Sequence, residues 1–172
     1  MEQDPPEKWE GKASAKLLST NADEAWSLLS DFCSLHLWLP GLVETCRKTA
    51  GDEGRPGCVR YCASPPGDDG NPLSWAYEEL LAFDPAERSF RCKVADNNVG
   101  LKRYVATFKV VRRRRLRARV VVRLRPANGW TGERLTAFMQ TGIEVTAKRV
   151  EEALKVAAAA TANTRENVPD VV

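Results

Sequence analysis

The chain has 172 residues, enough for one domain that buries about two-thirds of the surface its unfolded form exposes. Its composition is ordinary for a globular protein, 43% hydrophobic and 28% charged, with a formal net charge of only +3. That balance excludes wholesale disorder, and no apolar run approaches the roughly 20 residues needed to span a bilayer.

Residues 1–8 are acidic and proline-rich. They lack the basic-then-apolar pattern of a secretory signal, so they read as a flexible N-terminus and the expected location is cytoplasmic. Trp9 to Leu18 alternates weakly, as an edge strand does. Asn21 followed by Glu24 has the spacing of a capping box, and Ala25, Leu28, Leu29 and Phe32 follow at helical intervals. A second short helix is expected over Ser34 to Leu39, stopped by Pro40-Gly41.

The middle of the chain reads as strands between turn signals. Leu42 to Ala50 comes first, then a glycine-rich turn, then Gly57 to Cys62. Pro65 to Pro72 is an exposed loop. Strands follow at Ser74 to Phe83, Ser89 to Val94 and Leu101 to Val111, with a turn at Asp96 to Gly100. In the last strand Leu116, Ala118, Val120, Val122 and Leu124 alternate with a face that is nearly all arginine, the pattern of a half-buried antiparallel strand. A long helix is expected from about Thr131 to about Ala160, with Leu135, Phe138, Met139, Ile143, Ala147, Val150 and Leu154 as its apolar stripe. Thr161 to Val172 reads as a flexible tail. The whole is one α+β domain over 9–160: a curved antiparallel sheet around a long C-terminal helix, with two short helices after the first strand. A sheet curled away from its helix encloses an internal cavity for an apolar ligand.

Arg60 and Glu78 stand in the middle of apolar strands, and such residues are rarely buried unless paired. Cys58, Arg60 and Cys62 share one strand face; Ser74, Ala76, Glu78, Leu80 and Ala82 share another. Tyr104, Ala106, Phe108 and Val110 form an apolar face on a later strand. Periodicity leaves open which faces are concave. A carboxylate, a guanidinium and a phenol meeting in an apolar cavity can move protons, because desolvation raises a carboxylate's pKa while an arginine lowers it. A structural ion pair, or residues facing solvent, fits the same spacing.

The remaining candidates read as structural. The five cysteines are odd in number and form no Cys-x-x-Cys pair, so they read as reduced thiols rather than a disulfide set. With one histidine, no structural metal site is expected. His36 has no partner at catalytic spacing. Arg112 to Arg115 lacks interleaved aromatics and reads as a solvated turn rather than a nucleic-acid surface.

Asp31-Phe32-Cys33-Ser34-Leu35-His36-Leu37-Trp38-Leu39-Pro40-Gly41-Leu42, Gly57 to Cys62, Trp75-Ala76-Tyr77-Glu78-Glu79-Leu80, Asp96 to Gly100, Tyr104 to Phe108, Gly129-Trp130-Thr131 and Ala147 to Leu154 form a set. Together with Trp9-Glu10-Gly11-Lys12, this set resembles the plant lachrymatory factor synthase-like proteins. These belong to the polyketide cyclase/dehydrase and lipid-transport superfamily, related to START domains and birch-pollen-type allergens. The resemblance implies a helix-grip fold with a seven-stranded sheet and a cavity that Arg60 and Glu78 face. It implies a cofactor-free lyase or isomerase converting a small sulfenic acid to a thial S-oxide. Arg60 would bind the sulfenic oxygen, Glu78 would shuttle the proton, and Tyr104 would orient or assist. Trp38, Leu39, Cys58, Ala76, Phe108 and Phe138 would contact the ligand, a small hydrophobic or sulfur-containing metabolite. The alternative is a non-catalytic carrier of a hydrophobic ligand or lipid. An abscisic-acid-type receptor ranks last, because the loops at Pro65 to Pro72 and Asp96 to Gly100 match neither its gate nor its latch. The last strand departs from the family, with Val120-Val121 in place of a Trp-Ser step.

Overall fold

The computed structural model describes residues 11–113, the backbone of 118–124, and residues 130–166. The expected flexible segment at 1–8, Arg114 and Arg115 of the arginine run, the arginine stripe of the last strand and residues 167–172 of the tail lie outside the described residues. So do Trp9 and Glu10 of the first expected strand.

The chain opens with β1 (Gly11–Leu17), whose alternate residues Gly11, Ala13, Ala15 and Leu17 are buried. Helix α1 (Ala22–Leu29) starts on the Asn21/Glu24 capping box: Asn21 Oδ1 accepts from the Glu24 N–H at 2.9 Å, and Glu24 Oε2 accepts from the Asn21 N–H at 3.1 Å. Two of the backbone donors orphaned at a helix start are thereby satisfied. A 3₁₀ turn (Phe32–Ser34) runs into the single-turn helix α2 (Leu35–Trp38). Asp31 caps the 3₁₀ turn through Cys33 N–H at 3.2 Å and also accepts from the Ser34 hydroxyl. Gly41, at φ +82, then reverses the chain in a conformation that L side chains avoid.

Six strands follow: β2 (Thr45–Ala50), β3 (Val59–Ala63), β4 (Trp75–Asp84), β5 (Ser89–Asn97), β6 (Val105–Arg112) and β7 (Ala118–Leu124). All neighbours pair antiparallel in the order β1-β7-β6-β5-β4-β3-β2, one sheet of seven strands with β1 and β2 at its edges. Gly51, at φ +71, admits the close approach of β2 to the turn before β3: a Cβ there would lie 2.5 Å from the Gly57 carbonyl oxygen.

Helix α3 (Gly132–Glu166) packs against β1 and β7. Leu135, Ile143, Ala147 and Val150 of the expected stripe are buried. Burial of each large apolar side chain contributes about 1.5–3 kcal/mol. The helix also holds the edge strand by its backbone. Gln140 Oε1 accepts from the Ser14 N–H at 3.0 Å, while Gln140 Nε2 donates to the Ser14 carbonyl at 2.9 Å. A side-chain amide thus stands in for the strand that an edge lacks.

Three expectations change here. The helix extends six residues beyond Ala160, so the tail expected to be flexible from Thr161 is helical to Glu166. The alanine run has the highest helix propensity, and Thr161 and Thr164 return their hydroxyls to the carbonyls of Ala157 and Ala160. Phe138 leaves the buried stripe and is 55% exposed. The single face expected to hold Ser74, Ala76, Glu78, Leu80 and Ala82 is also broken. Leu80 opposes Cys92 and Ala82 opposes Arg91, so Leu81 is an extra residue on β4. A bulge reverses the alternation beyond it. Ala82 turns outward, while Phe83 packs on the core with its ring 5.5 Å from that of Trp26.

Candidate functional site

Arg60 and Cys62 on β3 are buried, as is Cys58 just before it, while Val59 and Tyr61 on the alternate face are half-buried. Arg60 lies directly opposite Glu78 across the β3–β4 ladder. Opposed residues of an antiparallel pair bring their Cβ atoms to about 4.5–5.5 Å, close enough for a salt bridge with no main-chain adjustment. Arg60 Nε donates to Glu78 Oε2 at 2.7 Å, and Nη2 reaches the same oxygen at 2.5 Å. The third nitrogen, Nη1, donates to the Phe32 carbonyl at 2.6 Å, and the guanidinium lies 4.0 Å over the Phe32 ring. Burial is the largest influence and works against the charge on Arg60, but attraction to Glu78, with smaller contributions from Cys62, Cys92 and Cys46, together overcomes it and raises the pKa of the guanidinium. Arg60 is therefore a fixed cation.

Both bonds from Arg60 fall on one oxygen of Glu78. No described residue donates to the other, Oε1, and Glu78 lines a cavity of about 620 Å³ between the sheet and α3. Aromatic and aliphatic side chains dominate the cavity wall, among them Phe90, Leu101, Phe108, Leu135 and Ile143. Leu42, Leu73 and Phe138 line it and are also exposed, so they mark its mouth. Trp130 closes against the turn after β5, donating Nε1–H to the Val99 carbonyl at 2.8 Å.

Tyr104 is buried just before β6 and lines the same cavity. Its hydroxyl donates to Met139 Sδ on α3 at 3.6 Å rather than to Arg60 or Glu78. The Tyr104 carbonyl bonds Val94 N–H, and Val94 in turn opposes Glu78. Tyr104 and Glu78 thus stand two strand spacings apart, about 10 Å between backbones. Both side chains line the cavity. Burial, with added repulsion from Cys92 and Glu78, pushes the phenol pKa well above its usual value. It remains an O–H donor across the physiological range.

Trp38, Leu39, Ala76, Phe108 and Phe138 all line the cavity, as does the Arg60–Glu78 pair. Cys58 does not. It is fully buried one residue before β3, with its sulfur 4.0 Å from that of Cys33 in the core. Two residues from Arg60 on the same face, it is carried past the cavity floor and under the 3₁₀ turn. Trp38 adds a polar atom that its residue type alone does not announce as free: Nε1 is buried with no partner among the described residues. His36 is half-buried in α2 and is not part of the cavity wall.

Several cavity residues escaped the sequence reading. Cys62 and Cys92 bring thiols to the wall, and the buried Thr146 brings a hydroxyl from α3. Alternation of Phe90, Cys92 and Val94 was the available signal for Cys92. Burial raises the Cys92 pKa to about 12, with Glu78 adding to the shift, so this thiol stays protonated. Among the described residues no group of three or more His, Cys, Asp or Glu could hold a metal ion, and no helix is long and apolar enough to cross a membrane.

The same architecture occurs in solved structures of low sequence similarity. Major latex-like protein 151 from Panax ginseng is 17% identical, with a TM-score of 0.68 over 85% of this chain and 97% of that one. An uncharacterised protein from Bacillus thuringiensis is 20% identical, with a TM-score of 0.64 over 84% of this chain and 98% of that one. The protein XoxI from Bacillus cereus is also 20% identical, with a TM-score of 0.62 over 84% and 94%. At these identities the likeness is one of fold. The sequence profile of one family, described as polyketide cyclase / dehydrase and lipid transport, matches residues 13–159. With that match spanning most of the domain, the chain belongs to the polyketide cyclase/dehydrase and lipid transport family.

Proposed function

We propose that the protein binds an apolar small molecule bearing one polar group, with that group seated on the Arg60–Glu78 floor. The observation that carries this reading is the cavity: about 620 Å³, apolar in most of its wall, with a few polar atoms left unpaired. Pockets of roughly 300–1,000 Å³ suit drug-sized ligands, and a few convergent polar groups fix their orientation. The Trp38 indole N–H is an unpaired buried donor, and such groups are rarely left unsatisfied in a working protein. This nitrogen is closed off from the cavity surface, so a ligand acceptor reaches it only when the indole tips toward the cavity. Family membership supports a hydrophobic ligand.

The test uses the environment-sensitive dye 1-anilinonaphthalene-8-sulfonate, which combines an aromatic body with an anionic head. Ala76→Trp, placed in the cavity wall, is expected to weaken its binding by at least about tenfold, or roughly 1.4 kcal/mol. Native mass spectrometry after mild purification would identify the natural occupant. Equal dye affinity in Ala76→Trp and wild type would show that the dye does not enter this cavity and would defeat the reading.

A second reading is favoured by the free Oε1 of Glu78. A carboxylate held through one oxygen by a fixed cation offers the other as a proton acceptor, and Tyr104 stands across the cavity as a donor. This is the arrangement a cofactor-free lyase or isomerase of the lachrymatory factor synthase type would use to turn a sulfenic acid into a thial S-oxide. Arg60 would hold the sulfenic oxygen through a charge-assisted bond. Purified protein supplied with alliinase and an S-alkenyl cysteine sulfoxide should then form the product, and Glu78→Gln should lower the rate by about 10²–10⁴. Equal product formation by the two proteins would sink the catalytic reading and leave binding intact.

A further inference from the structure

Cys46 on β2 and Cys62 on β3 are register partners, and their sulfurs lie 3.2 Å apart. Directly opposed residues of an antiparallel ladder have Cα atoms about 4.5–5.5 Å apart, within the usual span of a disulfide. Neither strand therefore has to move for the two sulfurs to bond. We infer that Cys46 and Cys62 are a peroxide-sensitive dithiol, oxidised to a cross-strand disulfide beside the Arg60–Glu78 pair. The odd cysteine count hid this pair in the sequence, because fifteen residues and a turn separate the two positions and no short motif marks them.

The surroundings assign the two sulfurs different parts. Arg60 from β3, Glu78 from β4, His36 from α2 and Cys33 from the 3₁₀ turn are the charged and titratable groups around the pair. The hydrogen bond from Cys62 lowers the Cys46 pKa to about 6; burial opposes this, and Arg60, the Leu35 N–H and His36 assist it. The same hydrogen bond, together with burial, pushes the Cys62 pKa up, so Cys62 keeps its proton. A thiolate is the form that attacks peroxide, and a neighbouring thiol resolves the product. Cys46 is itself buried but lies on an edge strand between the exposed Thr45 and Arg47, while Cys62 lines the cavity.

The chemistry balances with a hydroperoxide as oxidant. The Cys46 thiolate attacks the outer peroxide oxygen, the O–O bond breaks, and the departing alkoxide takes a proton to become an alcohol. Cys46 is left as a sulfenic acid. Cys62 sulfur then attacks Cys46 sulfur, the S–O bond breaks, and hydroxide leaves as water with the proton from Cys62. Two thiols are oxidised and one hydroperoxide is reduced.

The other thiols provide internal controls. Cys33 faces Cys58 at the longer sulfur separation of 4.0 Å, and burial with repulsion from Cys58 raises its pKa to about 12. Cys92 has no described sulfur partner and is protonated. The pair at the β2–β3 edge should therefore oxidise first.

The experiment treats the full-length reduced protein with hydrogen peroxide, alkylates the remaining thiols after denaturation, and maps peptides without reduction. Two of the five thiols should disappear, and one cross-linked peptide should join Cys46 to Cys62. Cys62→Ser should stop at a sulfenic acid on Cys46 that dimedone captures, and Cys46→Ser should form no cross-link. The wild-type rate should climb with pH through about 6 and then level, because the thiolate fraction saturates above the Cys46 pKa. Survival of all five thiols, a cross-link at another pair, or a rate that rises only through the ordinary thiol value of 9.0 would overturn the proposal. The wild-type map decides the matter even if a serine variant fails to fold.

Discussion

Glu78→Leu is expected to lower stability by about 3–5 kcal/mol, the cost of leaving a buried charge without its partner. Arg60 is the reason the effect is large. Its side chain is 8% exposed, and a guanidinium cannot shed its proton to escape the penalty. The Phe32 carbonyl and ring would remain beside it, but neither carries a compensating charge. For a domain of this size the loss corresponds to a fall in Tm of roughly 6–20 °C. The double variant Arg60→Met/Glu78→Leu should recover most of it, because replacing both members of a buried pair by apolar groups is often close to neutral. Calorimetry on the three proteins measures this directly. A double variant no more stable than Glu78→Leu would mean that the guanidinium is well solvated from the cavity and that the pair is not a closed structural unit.

Phe32→Ala should cost about 3–5 kcal/mol, the range for removing a large buried aromatic side chain. Phe32 is 2% exposed, and its ring meets Phe90 edge-on at 5.6 Å while supporting Arg60 on its other side. Part of the loss belongs to the cation–π contact, about 0.5–2 kcal/mol. Denaturant melts of Phe32→Ala, Arg60→Met and the double variant form a cycle that isolates that share. The Phe32 carbonyl remains after truncation, so its bond to Arg60 does not contaminate the comparison. Strict additivity of the two single losses would remove the ring from the account of how Arg60 is held.

These two experiments bear on different parts of the site. Loss of Glu78 tests the charge balance of the cavity floor; loss of Phe32 tests the 3₁₀ turn that presses on it. A ligand seated on the floor would add its own stabilisation to the wild type by mass action.

Much of this arrangement was legible along the chain because it rests on local rules. Asn21 and Glu24 announced α1 through spacing alone, since a capping box is made within one helical turn. The alternation of Cys58, Arg60 and Cys62 put three side chains on one face because consecutive residues of a strand point oppositely. The long helix was readable from its apolar stripe, although its end was not. Alanine propensity carried it to Glu166, beyond the point where a stripe existed to follow.

The remaining features depend on register, which no single strand contains. A bulged Leu81 turned Phe83 inward against the expected alternation, and only pairing with β5 reveals the extra residue. Cys58 shared a face with Arg60 yet missed the cavity, because a strand face crosses both the core and the void. Arg60 opposes Glu78, and Cys46 opposes Cys62, only once β2, β3 and β4 lie side by side. From its sequence alone, the chain determined its strands, its helices and the residue types that face inward. The tertiary structure decided which charges touch, which oxygen of Glu78 stays free and which two thiols meet, because those contacts are set by alignment between segments distant in sequence.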